Sequence, residues 1–237
     1  MTTIRYVAAT DRGKVRKLNE DSILALPQLQ IWAVADGMGG HDSGDFASQK
    51  VVECISHLPA DQPPQVLLAQ LRQAIYSAHA QIAQEASSRD GGIIGSTVVT
   101  LILAQQHFAA LWAGDSRLYC LRAGRLDMLT VDHSITGELV LDGKLTWEEA
   151  ENHPHSNVIT RAVGVGDHLE LDKIRGDVRP GDRFLLCSDG LTKHVSHAQI
   201  TQILASARLE IAADLLIETA LEAGGTDNVS AIVVEIL

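Results

Sequence analysis

Three times in this chain an apolar run ends on an aspartate followed by a small residue. Ile31-Trp32-Ala33-Val34-Ala35 leads into Asp36-Gly37, Leu111-Trp112-Ala113-Gly114 into Asp115-Ser116, and Phe184-Leu185-Leu186-Cys187-Ser188 into Asp189-Gly190. A fourth acid, Asp227, stands in Gly224-Gly225-Thr226-Asp227-Asn228, just before the last apolar run. One such aspartate would be an ordinary turn cap, with the small residue making a tight turn. The repetition points elsewhere. A bare carboxylate in apolar surroundings costs on the order of several kcal/mol, so each must be protonated, paired with a side-chain cation, or bound to a metal. Few organic cations adjoin these motifs, Arg117 and Lys193 being the nearest in sequence. Hard divalent cations, Mg²⁺ or Mn²⁺, suit carboxylate, carbonyl and water oxygens. No His-x-x-x-His or Cys-x-x-Cys spacing offers the usual zinc ligands, and the ten scattered histidines read as surface or hydrogen-bonded core groups. Composition and spacing thus reach an oxygen-rich metal site at the edge of a sheet core, with the substrate open.

Other chemistries fail on the residues they require. A cysteine-nucleophile phosphatase needs an arginine six positions after its cysteine; after Cys54, Cys120 and Cys187 those positions hold Ala60, Leu126 and Lys193. The three cysteines are odd in number, far apart and set among apolar neighbours, which reads as buried reduced thiols of a cytoplasmic protein. Gly39 and Gly44 have P-loop spacing, but Asp45-Phe46 follows where Lys and Ser or Thr would be needed. That stretch reads as a turn into a helix, with Asp45 near its N-terminus. A net charge of −11 without a Lys/Arg run excludes a nucleic-acid surface. Met1 to Ala9 lacks the pattern of a secretion signal and no apolar run reaches membrane-spanning length, so neither secretion nor a membrane is expected.

The elements that must position the acids can be read from apolar periodicity. With 237 residues and 46% hydrophobic content, one domain spanning 1–237 is expected. Strand patterns run over 4–9, 22–26 and 31–35, followed by helical stripes through Ala47, Val51, Cys54, Ile55 and Leu58 and through Leu68, Leu71, Ile75, Ala78 and Ile82. Short β-rich runs at 97–104, 108–113, 117–121 and 126–130 are close enough to predict antiparallel hairpins between neighbours. Residues 132–157 turn polar and helical, as a mobile flap outside the core would. Strands at 169–178 and 182–187, helices at 196–205 and 210–223, and a strand at 229–236 complete the chain. Grouped strands with helices in pairs between them indicate an α+β layered fold on antiparallel sheets.

The motifs Arg16-Lys17-Leu18-Asn19-Glu20-Asp21-Ser22, Val34-Ala35-Asp36-Gly37-Met38-Gly39-Gly40-His41, Gly95-Ser96-Thr97, Ala113-Gly114-Asp115-Ser116-Arg117, Asp132-His133-Ser134, Asn157-Val158-Ile159-Thr160-Arg161-Ala162-Val163-Gly164, Ser188-Asp189-Gly190-Leu191 and Gly225-Thr226-Asp227-Asn228 occur in an order that resembles the PPM, or type 2C, metal-dependent serine/threonine protein phosphatases of compact bacterial type. The resemblance spans the whole chain. It implies a β-sandwich flanked by pairs of helices, four layers in the order αββα, with the flap inserted and two Mn²⁺ or Mg²⁺ ions at one edge. By the same resemblance Asp36 bridges both ions, the Gly37 carbonyl with Asp189 and Asp227 completes the first, and Glu20 serves the second. Asp21 orients the waters, Asp115 with Asp189 forms a third metal site, and Arg16 grips the substrate phosphate. It further implies direct attack by a water bridging the ions, roughly 3.5 to 4 Å apart, on phosphoserine or phosphothreonine. The expected partners are phosphoproteins and an opposing Ser/Thr kinase, with a monomeric chain. One departure stands out: Met38 occupies the position where animal relatives carry a proton-donating histidine, and His41 is the nearest alternative. A metal-binding module without catalysis would show a damaged ligand set, and none is visible. A hydrolase of nucleotides would want more aromatic residues than three Phe, three Tyr and three Trp.

Overall fold

Alternate residues of one strand belong to different cores, and this sets the layers. In strand β3 (Ile31–Gly39), Ile31, Ala33 and Ala35 pack into one hydrophobic cluster, while Trp32 and Val34 pack into another. The last strand behaves the same way: Val229, Ala231 and Val233 point to one side, Ile232, Val234 and Ile236 to the other. Side chains that alternate across a pleat and are buried on both faces require a sheet covered on both sides. The computed structural model describes residues 3–39, 43–60, 62–88, 93–151 and 153–237.

One sheet has the order β1 (Ile4–Asp11), β11 (Val229–Ile236), β10 (Arg183–Cys187), β7 (Arg117–Arg122), β8 (Arg125–Met128). The other runs β2 (Asp21–Leu26), β3, β5 (Val98–Ala104), β6 (His107–Ala113), β9 (Asp172–Asp177), with β4 (Ile94–Ser96) paired to the far half of β3. These pairings are antiparallel. Helices α1 (Gly44–Ser56) and α2 (Pro64–Ser88) cover the second sheet through Val51, Ile55, Leu71, Ile75 and Ile82. Helices α6 (His197–Ser206) and α7 (Leu209–Glu222) cover the first through Ile200, Leu204, Ala213 and Leu216. A third cluster, with Trp32, Leu101, Leu118, Phe184 and Leu186, fills the space between the sheets. The fold is therefore the expected four-layer αββα sandwich; each fully buried Leu, Ile or Phe stabilises it by about 1.5–3 kcal/mol.

The structure corrects four sequence expectations. Runs 108–113 and 117–121 are not a hairpin: β6 lies in one sheet and β7 in the other, so 114–116 crosses between sheets. Gly114 makes that crossing at φ +106°, a conformation that favours glycine. The aspartates at 36 and 189 do not precede tight turns. Asp36 and Gly37 continue β3 toward β4, and Asp189 opens the short helix α5 (Asp189–Thr192). Their glycines serve close approach instead: a Cβ on Gly37 would lie 1.9 Å from the Gly44 carbonyl oxygen, and one on Gly190 1.9 Å from that of Asn228. Cys54 is only half-buried, while Cys120 and Cys187 are buried. Lastly, the flap carries α3 (Ile135–Leu141) and α4 (Trp147–Glu151), but its root is core: Asp132, His133, Ser134 and Thr136 are buried.

Candidate metal centre

The acids converge where the sandwich opens at one edge. Asp21 and Asp36 face each other across the β2–β3 pairing, Asp115 lies on the crossing between sheets, Asp189 begins α5, and Asp227 precedes β11. A cleft of about 240 Å³ is lined by Arg16, Glu20, Asp36, Asp115, Asp189 and Asp227, together with Gly37 and Met38. Asp21 sits behind it, its Oδ2 accepting from Ser188 Oγ at 2.8 Å and Ser230 Oγ at 2.7 Å. His41 lies outside the described residues.

Polar residues without an assigned role in the sequence reading hold this arrangement. Asn228 is the hub: its Oδ1 accepts from Glu20 N at 2.8 Å, and its Nδ2 donates to the carbonyls of Arg12 at 2.8 Å and Leu18 at 2.9 Å. The loop carrying Arg16 and Glu20 is thereby tied to Asp227. Glu20 Oε1 also accepts from Gly44 N at the start of α1, 3.1 Å away. Thr97 Oγ1 accepts from Asp36 N at 3.0 Å and lies 2.7 Å from Ser116 Oγ, linking the strand of Asp36 to the crossing of Asp115. His194 Nε2 accepts from Thr226 N at 3.1 Å, which fixes the glycine-rich loop. The only sequence signal for Asn228, Thr97 and Ser116 was membership of the ordered motifs, and His194 had none; their partners lie too far along the chain to be read from spacing.

Electrostatics sets the chemistry. Burial, with the charges of Asp21, Asp189 and Asp115, pushes Asp36 well above the usual carboxylate range. Burial and Asp189 do the same to Asp115. Asp21 is pushed up to about 7, chiefly by burial against two opposing hydroxyl hydrogen bonds. Glu20 is raised by burial as well. Asp227 goes the other way: burial would raise it, but Lys193 and Arg16 together hold it low. Arg16 Nε lies 2.7 Å from Asp227 Oδ1, and Lys193 Nζ lies 2.6 Å from Asp189 Oδ2 and 3.1 Å from Asp227 Oδ2. Arg117 is turned away, its guanidinium binding Asp132 at 2.7 Å. Among the described residues no three His, Cys, Asp or Glu side chains are drawn together as a metal-holding group; Arg16 and Lys193 engage Asp227 and Asp189 instead.

These residues fit a hard divalent cation. The donors are oxygens throughout, and two buried atoms, Asp21 Oδ1 and Asp189 Oδ1, have no hydrogen-bond partner among the described residues. An orphaned buried carboxylate oxygen costs about 1–3 kcal/mol or more unless a proton or a cation meets it. The buried thiols offer no competing nucleophile, since burial pushes Cys187 up to about 12.

A family model described as protein phosphatase 2C matches residues 12–221. With its fold and acid cluster, the chain belongs to that family. It is 40% identical over 235 residues to the serine/threonine protein phosphatase PstP of Mycobacterium tuberculosis, covering 99% of this chain and 45% of that protein; it thus spans less than half of that relative's length. It is 38% identical to the serine/threonine phosphatase stp of Listeria monocytogenes, covering 95% of this chain and 93% of that one. Among solved structures, PppA, a regulatory component of T6SS in Pseudomonas aeruginosa, superposes with a TM-score of 0.92 at 38% identity, covering 99% and 98% of the two chains. The catalytic domain of PstP, solved with two manganese ions, superposes at 0.90 with 38% identity over the full length of both.

Proposed function

We propose that this chain is a metal-dependent protein phosphatase that hydrolyses phosphoserine and phosphothreonine in other proteins, as one catalytic domain over residues 1–237. The observation that carries the reading is the cleft itself: acids from both sheets face one space, and two of the buried oxygens around it have no partner among the described residues. Asp36, the Gly37 carbonyl, Asp189 and Asp227 would hold one Mn²⁺ or Mg²⁺ ion, and Asp36 with Glu20 a second. When bound, such ions supply Lewis acidity toward water and phosphoryl oxygens.

The chain's own groups do the rest. Arg16, half-exposed at the cleft, exchanges Asp227 for the substrate phosphate, whose paired oxygens match a guanidinium fork. Asp21, steadied by Ser188 and Ser230, keeps one oxygen free to accept a proton or orient a water. Met38 lines the cleft but carries no proton, so the leaving oxygen takes its proton from another source. The substrates would be phosphoproteins with an opposing Ser/Thr kinase, and the chain a cytoplasmic monomer. No described helix is long and apolar enough to cross a membrane.

The test is Asp189→Asn, assayed on a phosphothreonine peptide with Mn²⁺ while bound ions are counted by calorimetry. Loss of at least one ion and a fall in turnover of at least about 100-fold are expected. Unchanged turnover, or wild-type activity surviving exhaustive chelation, would overturn the reading.

A further inference from the structure

One cation at the cleft is covalently part of the chain. Lys193 caps α5 four residues after Asp189, with its backbone N–H on the Asp189 carbonyl at 2.8 Å. Its ammonium bridges Asp189 Oδ2 and Asp227 Oδ2. Both carboxylates are held in place for it: Leu191 anchors α5 by its fully buried side chain, and His194 fixes the loop that carries Asp227. The two oxygens of Asp189 have therefore separate fates. Oδ1 is buried without a partner among the described residues, whereas Oδ2 is taken by the ammonium. Asp115, the other acid expected at a third metal position, lines the same cleft and the same adjoining cavity as this lysine. Lys193 also lines the adjoining cavity of about 190 Å³ below the flap, with Asp115, Arg117 and Trp147. It thus lines both the cleft of Asp36 and the cavity that adjoins it.

Charge bookkeeping agrees. Glu20, Asp21, Asp36, Asp115, Asp189 and Asp227 bring six negative charges when ionised, and Arg16 and Lys193 bring two positive ones. Two divalent ions make up the remaining four. A third would leave two positive charges in excess, and one in excess even with the lysine driven out. A fixed ammonium already in contact with two carboxylates loses little orientational freedom, whereas an incoming ion must shed water and break both contacts.

We propose that Lys193 is the chain's own substitute for a third metal ion: it holds Asp189 Oδ2 and Asp227, makes Asp115 a counter-charge instead of a ligand, and limits the centre to two tightly bound divalent ions. This rests on the phosphatase reading but is tested apart from turnover. The probe is Mn²⁺ alone, titrated calorimetrically into metal-free wild type, Lys193→Met, Lys193→Arg, Asp115→Asn and the Lys193→Met/Asp115→Asn double variant. Wild type, Lys193→Arg and Asp115→Asn should bind two ions. Lys193→Met should gain a third, lost again in the double variant. In chelator, where no ion can compensate, Lys193→Met should melt about 3–8 °C below wild type and Lys193→Arg within about 2 °C of it. A wild type that binds three ions, one of them lost in Asp115→Asn, would overturn the proposal. So would two ions in Lys193→Met, or a metal-free Lys193→Met melting at the wild-type temperature, and either would leave the phosphatase reading standing. A wild type that binds no Mn²⁺ would sink both.

Discussion

At the residue scale the acids supply the charge, but Asn228 decides where the charge is. A primary amide is the side chain that offers one acceptor and two donors in a plane, and here each is used: Glu20 N–H on the oxygen, the carbonyls of Arg12 and Leu18 on the nitrogen. Those contacts bind segments more than 200 residues apart, and they locate Arg16 and Glu20 relative to Asp227. Asn228→Asp keeps the size and the acceptor but turns an oxygen toward two carbonyl oxygens, so it should be as damaging as Asn228→Ala. Each variant should lose about 2–3 kcal/mol of stability in denaturant titration. With a phosphopeptide, KM should rise along with a fall in kcat, since the arginine proposed to grip the phosphate and a candidate metal ligand move together. A variant that loses stability but keeps both kinetic constants would show that Asn228 serves the fold alone.

At the scale of elements, the crossing between the sheets is the joint on which Asp115 depends. His133, at the root of the flap, clips it twice: its backbone N–H donates to the Gly114 carbonyl at 2.9 Å, and its Nδ1 accepts from Gly114 N at 3.1 Å. The ring lies nearly parallel to Trp112, 6° between planes and 5.9 Å between centroids. Burial first, then the charge of Arg161, hold its pKa below the ordinary histidine value, which suits the neutral ring an accepting Nδ1 requires. His133→Phe preserves the stacking and removes the acceptor, leaving a buried N–H unmet. It should cost about 1–3 kcal/mol, read as a melting temperature lower by about 3–8 °C; an unchanged melt would show that the clip carries no stability. None of this joint could be read from the sequence. The short Gly114-Asp115-Ser116 connection between β runs is compatible with a hairpin or with a crossing, and the long-range pairing of β7 with β10, Leu118 opposite Leu186, is what separates them. The strand and helix patterns were legible because they are local: β11 falls on its apolar run, and the stripe of α1 on its 3.6-residue spacing except for Leu58, which lies past the helix end. The acids were legible by type, while Thr97, Ser188 and Ser230, whose partners lie tens to hundreds of residues away, were not.

For the whole molecule, the acid cluster makes stability depend on metal and on pH together. Asp21 has an ordinary carboxylate pKa of 3.8 when unfolded and about 7 in the metal-free fold, and Asp36 and Asp115 are raised in the same sense. Between about pH 4 and pH 7 the fold holds protons that the unfolded chain has released, so deprotonation favours unfolding. In chelator the melting temperature should therefore fall as pH rises through that window, the three acids outweighing the opposite contribution of His79 and His133, whose pKa values burial lowers. A divalent ion reverses the argument, because it binds the ionised carboxylates and competes with their protons. At a concentration of 100 times its Kd one ion stabilises the fold by about 2.7 kcal/mol, or about 5–10 °C in a chain of this size. The increment on adding Mn²⁺ should thus be small at pH 5 and largest above pH 7, whatever the substrate. Melting curves at several pH values, with Mn²⁺ and with chelator, measure it directly. Parallel curves with a constant increment would mean that the ions do not meet these buried acids, and the centre would have to be sought elsewhere in the molecule.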